Sequence, residues 1–219
     1  YLIAGPRLSR LTRTRRETME TRMTSSKHAI SPADILPMDA YGKIRAERRR
    51  VMSATKKTRR VPVGPDATFY FESFETMLHQ VHEMLFIEKG GAAQLADEIA
   101  AYDPLVPKGH NLSATFMIEI EDPARRLATL KTLGGIENTV TLSFAGETVK
   151  AVPHDDAERT TEDGKTSSVH FFSFPFTAAR IEKFKTPGTE AVLAIRHAHY
   201  AHMAILPEAT RVELAKDFG

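Results

Sequence analysis

The sequence predicts an α+β protein. An N-terminal helical segment precedes a duplicated strand–helix–strand–strand unit, which forms a mixed or antiparallel sheet with helices on one face. Three observations predict it. Apolar residues recur at helical spacing over 74–85, whereas residues 115–120 alternate with the period of two expected of a half-buried strand. Residues 114–153 and 168–207 then read as one unit written twice. Ala124, Arg126, Leu127, Lys131, Thr132 and Gly134 line up, 54 positions on, with Ala178, Arg180, Ile181, Lys185, Thr186 and Gly188, and the units close on Pro153 and Pro207. Finally, the stretch Pro104 to Gly109 marks a boundary. The expected organisation is a basic tail over 1–30, a helical region with a short strand over 31–104, and the duplicated region over 105–219.

Each element has a local reason. Residues 1–22 carry six arginines without periodicity and read as a disordered basic tail, or as sequence upstream of a start at Met19 or Met23. Ser31-Pro-Ala-Asp34 is a helix-start signature. Asp39 is placed to cap the next helix, about 40–60. Its narrow apolar stripe is Tyr41, Ile44, Val51 and Ala54, and Arg45, Arg48, Arg49, Arg50, Lys56 and Lys57 cover the rest. Val61-Pro-Val-Gly-Pro65 breaks that helix, and residues 67–71 read as a short strand. Ser73 caps an amphipathic helix with Phe74, Met77, Leu78, Val81, Met84 and Leu85 on its buried face. Gly90-Gly91 interrupts it, and a further helix over about 92–102 ends at Asp103-Pro104.

In the second half, a strand near 114–120 leads to a helix opened by Pro123 and ended by Gly134-Gly135. Val140, Leu142 and Phe144 alternate into a hairpin turn at Ala145-Gly146, and residues 149–152 return. After an acidic loop over 153–166 the unit recurs as strand 168–174, helix 177–186 and strands 190–197 and 201–206. A last helix over 207–217 closes the chain. The expectation is a sheet of about six strands with a pseudo-twofold axis.

A chain of 219 residues with 42% hydrophobic content buries a sizeable core. No apolar run spans a bilayer, and the first residues lack the flanks of a secretory signal. Cysteine is absent, which excludes disulfides, thiolate catalysis and any Fe–S cluster or zinc held by this chain's cysteines; a cytoplasmic setting is the simplest reading. The net charge of +2 conceals an asymmetry. Residues 1–60 hold 16 Lys/Arg against 5 Asp/Glu, leaving 14 against 23 for the rest. Either the basic segment lies on the acidic body, or it meets an anionic partner such as nucleic acid, a lipid surface or an acidic protein.

Two histidine clusters carry candidate chemistry. His170 aligns with Phe116, and His197 with Phe144 after one residue of slip, both on inward faces; His199 and His202 flank the same hairpin. Four imidazoles at one sheet end suit a divalent metal (Zn, Fe or Mn), with Asp155, Asp156 or Glu158 as carboxylate ligands. The competing reading makes His170 a satisfied core histidine and the other three the decoration of a turn. Glu75, His79, His82 and Glu83 share the helix face opposite the apolar stripe, without the H-E-x-x-H or paired Glu-x-x-His patterns that would strengthen a metal assignment. Gly164-Lys165-Thr166 lacks both the first glycine and the following helix of a phosphate loop. Arg159 and Lys165 remain anion-binding candidates, together with Arg45, Arg48 and Arg49 on the basic helix. That helix, over 43–60, is also the candidate for non-specific nucleic-acid contact, although no nucleic-acid-binding motif accompanies it.

Asp34-Ile-Leu-Pro-Met38, with Tyr41, Ile44, Arg45, Arg48 and Arg49, carries a resemblance that continues through Arg59-Arg60, Gly64, Phe69-Tyr-Phe-Glu72, Glu83-Met-Leu85 and Ile87-Glu-Lys-Gly90. It extends to Arg159-Thr160, Asp163-Gly-Lys165, Ser167-Ser-Val-His170 and Tyr200-Ala-His202. Over about 30–219 the chain resembles a bacterial domain-of-unknown-function family, number three-five-zero-one. The resemblance implies a genomic setting beside rubrerythrin-like proteins and Fe–S oxidoreductase subunits, and hence an accessory role in redox or oxidative-stress chemistry with such proteins as partners. The function expected is therefore an accessory or interaction protein, with metal-dependent enzyme and nucleic-acid binder as alternatives.

Overall fold

The computed structural model describes residues 27–154 and 164–219. The tail expected over 1–30 lies outside this range except for its last four residues. Of these, Ile30 is buried and donates its N–H to Asp103 Oδ1 at 2.6 Å.

Helix α1 spans Met38–Thr58. It begins one residue before Asp39, which falls in the first turn and complements the helix dipole there, as Lys56 and Lys57 do in the last turn. Its buried residues are Tyr41 and Met52; Ile44 is 41% exposed and Ala54 is exposed, so the contact stripe differs from the one expected. Strand β1, Arg60–Pro62, follows directly where the sequence suggested only a break. A proline is accommodated because β1 is an edge strand, paired antiparallel only to β2, Ala67–Glu72. Helix α2, Phe74–Glu88, has a reciprocal cap. Thr76 N–H donates to Ser73 Oγ at 3.2 Å and Ser73 N–H to Thr76 Oγ1 at 2.8 Å. It ends at Lys89 in the left-handed region (φ 57°) and is followed by α3, Gly91–Tyr102. The apolar faces of these two helices pack with Ile30, Leu105, Val106 and the outward ring of Phe171.

The remaining elements mix strands with short helices. Strand β3 (Asn111–Ile118) is followed by α4 (Pro123–Thr132), β4 (Val140–Phe144), β5 (Glu147–Lys150) and β6 (Val152–Pro153). Then come β7 (Val169–Pro175), α5 (Ala178–Lys185), β8 (Ala191–His197), β9 (Tyr200–Ile205) and α6 (Glu208–Leu214). Strand β3 pairs with β7 and β4 pairs with β8, so the counterparts lie side by side, Phe116 directly opposite His170.

The strands form two antiparallel sheets, ordered β1-β2-β3-β7-β6 and β5-β4-β8-β9, instead of one sheet of about six. The stretch 147–153 belongs to both. Ala151 N–H still donates to Val140 O, at 3.0 Å, before Val152 and Pro153 pair with β7. Nor does the sheet respect the boundary expected at 104–109, because all of β2 pairs with β3. Both sheets contribute to one apolar core, including Phe69, Phe116 and Phe172, whose ring centroids lie 4.8–6.1 Å apart. Helices α2 and α3 cover the outer face of the first sheet at Phe171, whereas Met203 and Ile205 of β9 are each 62% exposed. Among the described residues no helix is long and apolar enough to cross a membrane.

Arg59, between α1 and β1, is 2% exposed. Its Nε donates to Phe71 O at 2.9 Å and its Nη2 to Glu72 O at 2.8 Å, while its guanidinium pairs with Asp217 and lies 3.5 Å from Glu213. Burial pushes the Asp217 carboxyl up to about 6 against the pull of that guanidinium. Removing the arginine strands a buried carboxylate and two carbonyls. Arg59→Met is therefore expected to cost about 3–5 kcal/mol in urea unfolding. The loss should be larger at pH 8 than at pH 5, where Asp217 takes up a proton, and Asp217→Asn in the same chain should recover part of it. Near-native stability of the single variant would contradict the assignment.

Candidate functional site

The four histidines of the first cluster are not brought to one point. His170 is 1% exposed, inside the aromatic core as expected from its alignment with Phe116, and 5.7 Å from that ring. Its Nε2 lies 3.0 Å from Ser167 O and 3.2 Å from Thr166 Oγ1, so the polar edge is met where the strand begins. His197, half-exposed at the end of β8, shares the inward face of Leu193 and Ile195, with Nε2 3.1 Å from Gly134 O. Its Nδ1 accepts from His199 N at 3.2 Å, and the two rings are 5.9 Å apart. His202 is exposed and meets Tyr200 edge-on, over Gly64. Gly64 has a φ of +76°, and a Cβ there would come within 2.6 Å of both side chains, which fixes glycine at this point. Among the described residues no group of three or more His, Cys, Asp or Glu side chains is arranged to hold a metal. Asp155, Asp156, Glu158 and Arg159 lie outside the described residues.

The second cluster has a different fate. The face of α2 opposite its apolar stripe is covered by α1. His82 is 3% exposed and uses both nitrogens, accepting Leu36 N–H at 3.0 Å and donating to Leu78 O at 2.8 Å. It stacks on Tyr41 at 4.7 Å. Burial holds it below the ordinary histidine value, so it is neutral. Glu83 accepts from Arg45 Nε and Nη2 at 2.9 and 2.8 Å and from Tyr41 Oη at 2.7 Å. These contacts, the guanidinium foremost, lower its carboxyl to about 2. Burial and the adjacent carboxylate push the Tyr41 phenol well up. His79, 3.3 Å from Tyr41 Oη, is also lowered by burial. Glu75 takes no part in this network. The cluster joins two helices, with Arg45 consumed in doing so.

Next to it lies a groove of about 400 Å³. Helix α1 contributes Arg49, Met52, Ser53, Lys56 and Lys57; Arg60 comes from β1, Tyr70 from β2 and His79 from α2. Four permanent cations line it and no carboxylate does. Arg60 rests over the Tyr70 ring at 5.3 Å with Nη2 3.5 Å from Glu119, and Tyr70 Oη donates to Glu119 at 2.7 Å. Arg49 Nε is 3.9 Å from Glu83 Oε2. Lys56 and Lys57 form no ion pair among the described residues. A neighbouring cavity of about 560 Å³ presents Asp66, Glu119 and Glu121. Two of these acids are already engaged, Asp66 by Arg125 at 2.7 Å and Glu119 as above. The basic groove holds two cations, Lys56 and Lys57, that no described carboxylate pairs with.

Of the anion candidates, Arg49 alone lines the groove. Arg48 is exposed on α1 outside it, and Lys165 is half-buried before β7, remote in sequence from α1. Lys56, Arg60, Tyr70 and His79 were not assigned to a common site from sequence. One signal was present: Arg49, Ser53 and Lys56 follow the i, i+4, i+7 stripe of a single helix face.

The Glu83 network generates a pH test. Its folded pKa lies below the ordinary value of 4.5, so its contribution is complete above that pH and is lost as pH falls toward about 2. Glu83→Gln is expected to lower stability by about 1–2 kcal/mol at pH 7, after discounting for partial solvent screening. It should also flatten the thermal midpoint between pH 4.5 and 2.5; an unchanged slope would remove Glu83 as its source.

The family model described as "Protein of unknown function (DUF3501)" matches residues 29–218. A crystal structure of a novel protein of unknown function from Burkholderia pseudomallei K96243 is similar to this chain at 36% identity and a TM-score of 0.80. The match covers 87% of this chain and 100% of that one. No curated protein matches.

Proposed function

The chain belongs to the DUF3501 family, and from that premise we propose that it is a non-catalytic accessory protein that docks an acidic partner protein through α1. One observation carries this reading. Lys43, Arg48, Lys56 and Lys57 of α1 have no carboxylate partner among the described residues, while the nearby acids are consumed, Glu83 by Arg45 and Glu47 by Arg50 at 2.7 Å. Such unpaired charge steers and orients an anionic surface more than it stabilises the fold. A redox or oxidative-stress protein, rubrerythrin-like or an Fe–S oxidoreductase, is the partner we propose. The resemblance described above supports that choice, and a chain without cysteine leaves the cluster to its partner.

The test is affinity capture from native cells with the natural sequence and with a variant reversed to glutamate at Lys43, Arg48, Lys56 and Lys57. A redox protein is expected with the former and is lost from the latter. Its absence above background, or its retention by the reversed variant, would reject the proposal. So would capture of mixed DNA and RNA in its place with affinity falling steeply in salt, which would make the helix a nucleic-acid binder.

A further inference from the structure

On the reading that α1 meets anionic groups, we propose that the groove between α1 and β2 is a specific site for a small organic phosphate, with the phosphoryl group held by Lys56, Lys57, Arg49 and Arg60. Shape separates this site from Lys43 and Arg48, which lie outside the groove on the same helix. An acidic protein surface meets the convex face of a helix, whereas a recess of about 400 Å³ has the size of a small-ligand pocket.

The lining has the chemistry such a ligand requires. Lys56 and Lys57 supply charge that no described carboxylate neutralises. Arg60 and Arg49 are each anchored at one end, by Glu119 and the Tyr70 ring and by Glu83 respectively, and their side chains stay 52% and 60% exposed. A guanidinium carries five donors, so one tether leaves a fork free for phosphate oxygens and fixes its direction. The Ser53 hydroxyl adds a neutral donor from the same helix face.

An organic body has a place as well. Tyr70 spends its hydroxyl on Glu119 and offers only its ring, and Met52 brings a thioether to the same groove. His79 provides a polar edge. Bare inorganic phosphate would use the cations and leave these three uncontacted.

The test is calorimetric titration of the purified full chain with adenosine 5′-monophosphate and with inorganic phosphate. It involves no partner, so it succeeds or fails independently of the docking reading. The nucleotide is expected to bind about tenfold or more tighter than inorganic phosphate. Lys56→Gln with Arg60→Gln should weaken it by about tenfold or more, whereas Lys43→Gln with Arg48→Gln, the same loss of charge from the same helix outside the groove, should change it by less than about twofold. Far-ultraviolet circular dichroism checks that both variants remain folded. No binding at millimolar nucleotide, equal weakening by the two variants, or equal affinity for nucleotide and inorganic phosphate would each overturn the proposal.

Discussion

The buried guanidinium of Arg59 is the constraint on which the arrangement of this molecule depends. It lies where α1 gives way to β1. Its side chain holds the carbonyls of Phe71 and Glu72, its own carbonyl accepts the N–H of Phe71 at 2.9 Å, and its charge is matched by Asp217 near the C-terminus. A single residue thus fixes the end of the basic helix against β2 and the last turn of the chain at once. A buried ion pair of this kind specifies geometry more than it adds net stability. The geometry it specifies is the juxtaposition of Arg49, Lys56 and Arg60 with Tyr70.

A second polar network completes the placement of α1. Tyr41, Arg45, His82 and Glu83 form a partly buried contact between α2, which carries no Lys or Arg, and the basic α1. Here the cations that hold the fold are distinct from those that are free to act. Arg45 and Arg59 are consumed by carboxylates and carbonyls, while Lys43, Arg48, Lys56 and Lys57 are not. Among the described residues, the cations of α1 and its C-terminal end thus include some committed to the fold and some left unpaired.

Much of the fold was legible in the sequence, because burial on one side leaves a period. The alternation of Phe116 and Ile118, the stripe from Phe74 to Leu85, the Ser73 cap and the turn at Ala145-Gly146 all mark elements that form. The inward placement of His170 was legible too, although its contacts with Thr166 and Ser167 were not. What was hidden has physical causes. Strand β1 was masked by Pro62, which reads as a breaker unless the strand is known to lie at an edge. The polar face of α2 looked like a solvent face because periodicity reports apolar burial only, and His82 is buried by stacking and hydrogen bonds. The groove was hidden because its walls come from residues as far apart as Arg49 and His79, which only the docking of α1 brings together.

The stretch 147–153 is hydrogen-bonded first in one sheet and then in the other across Ala151. Such a strand works as an interlock. Peeling it from β4 also pulls at β7, so the edges of the two sheets are mechanically coupled. A cut in that short segment would therefore loosen the edges of both sheets.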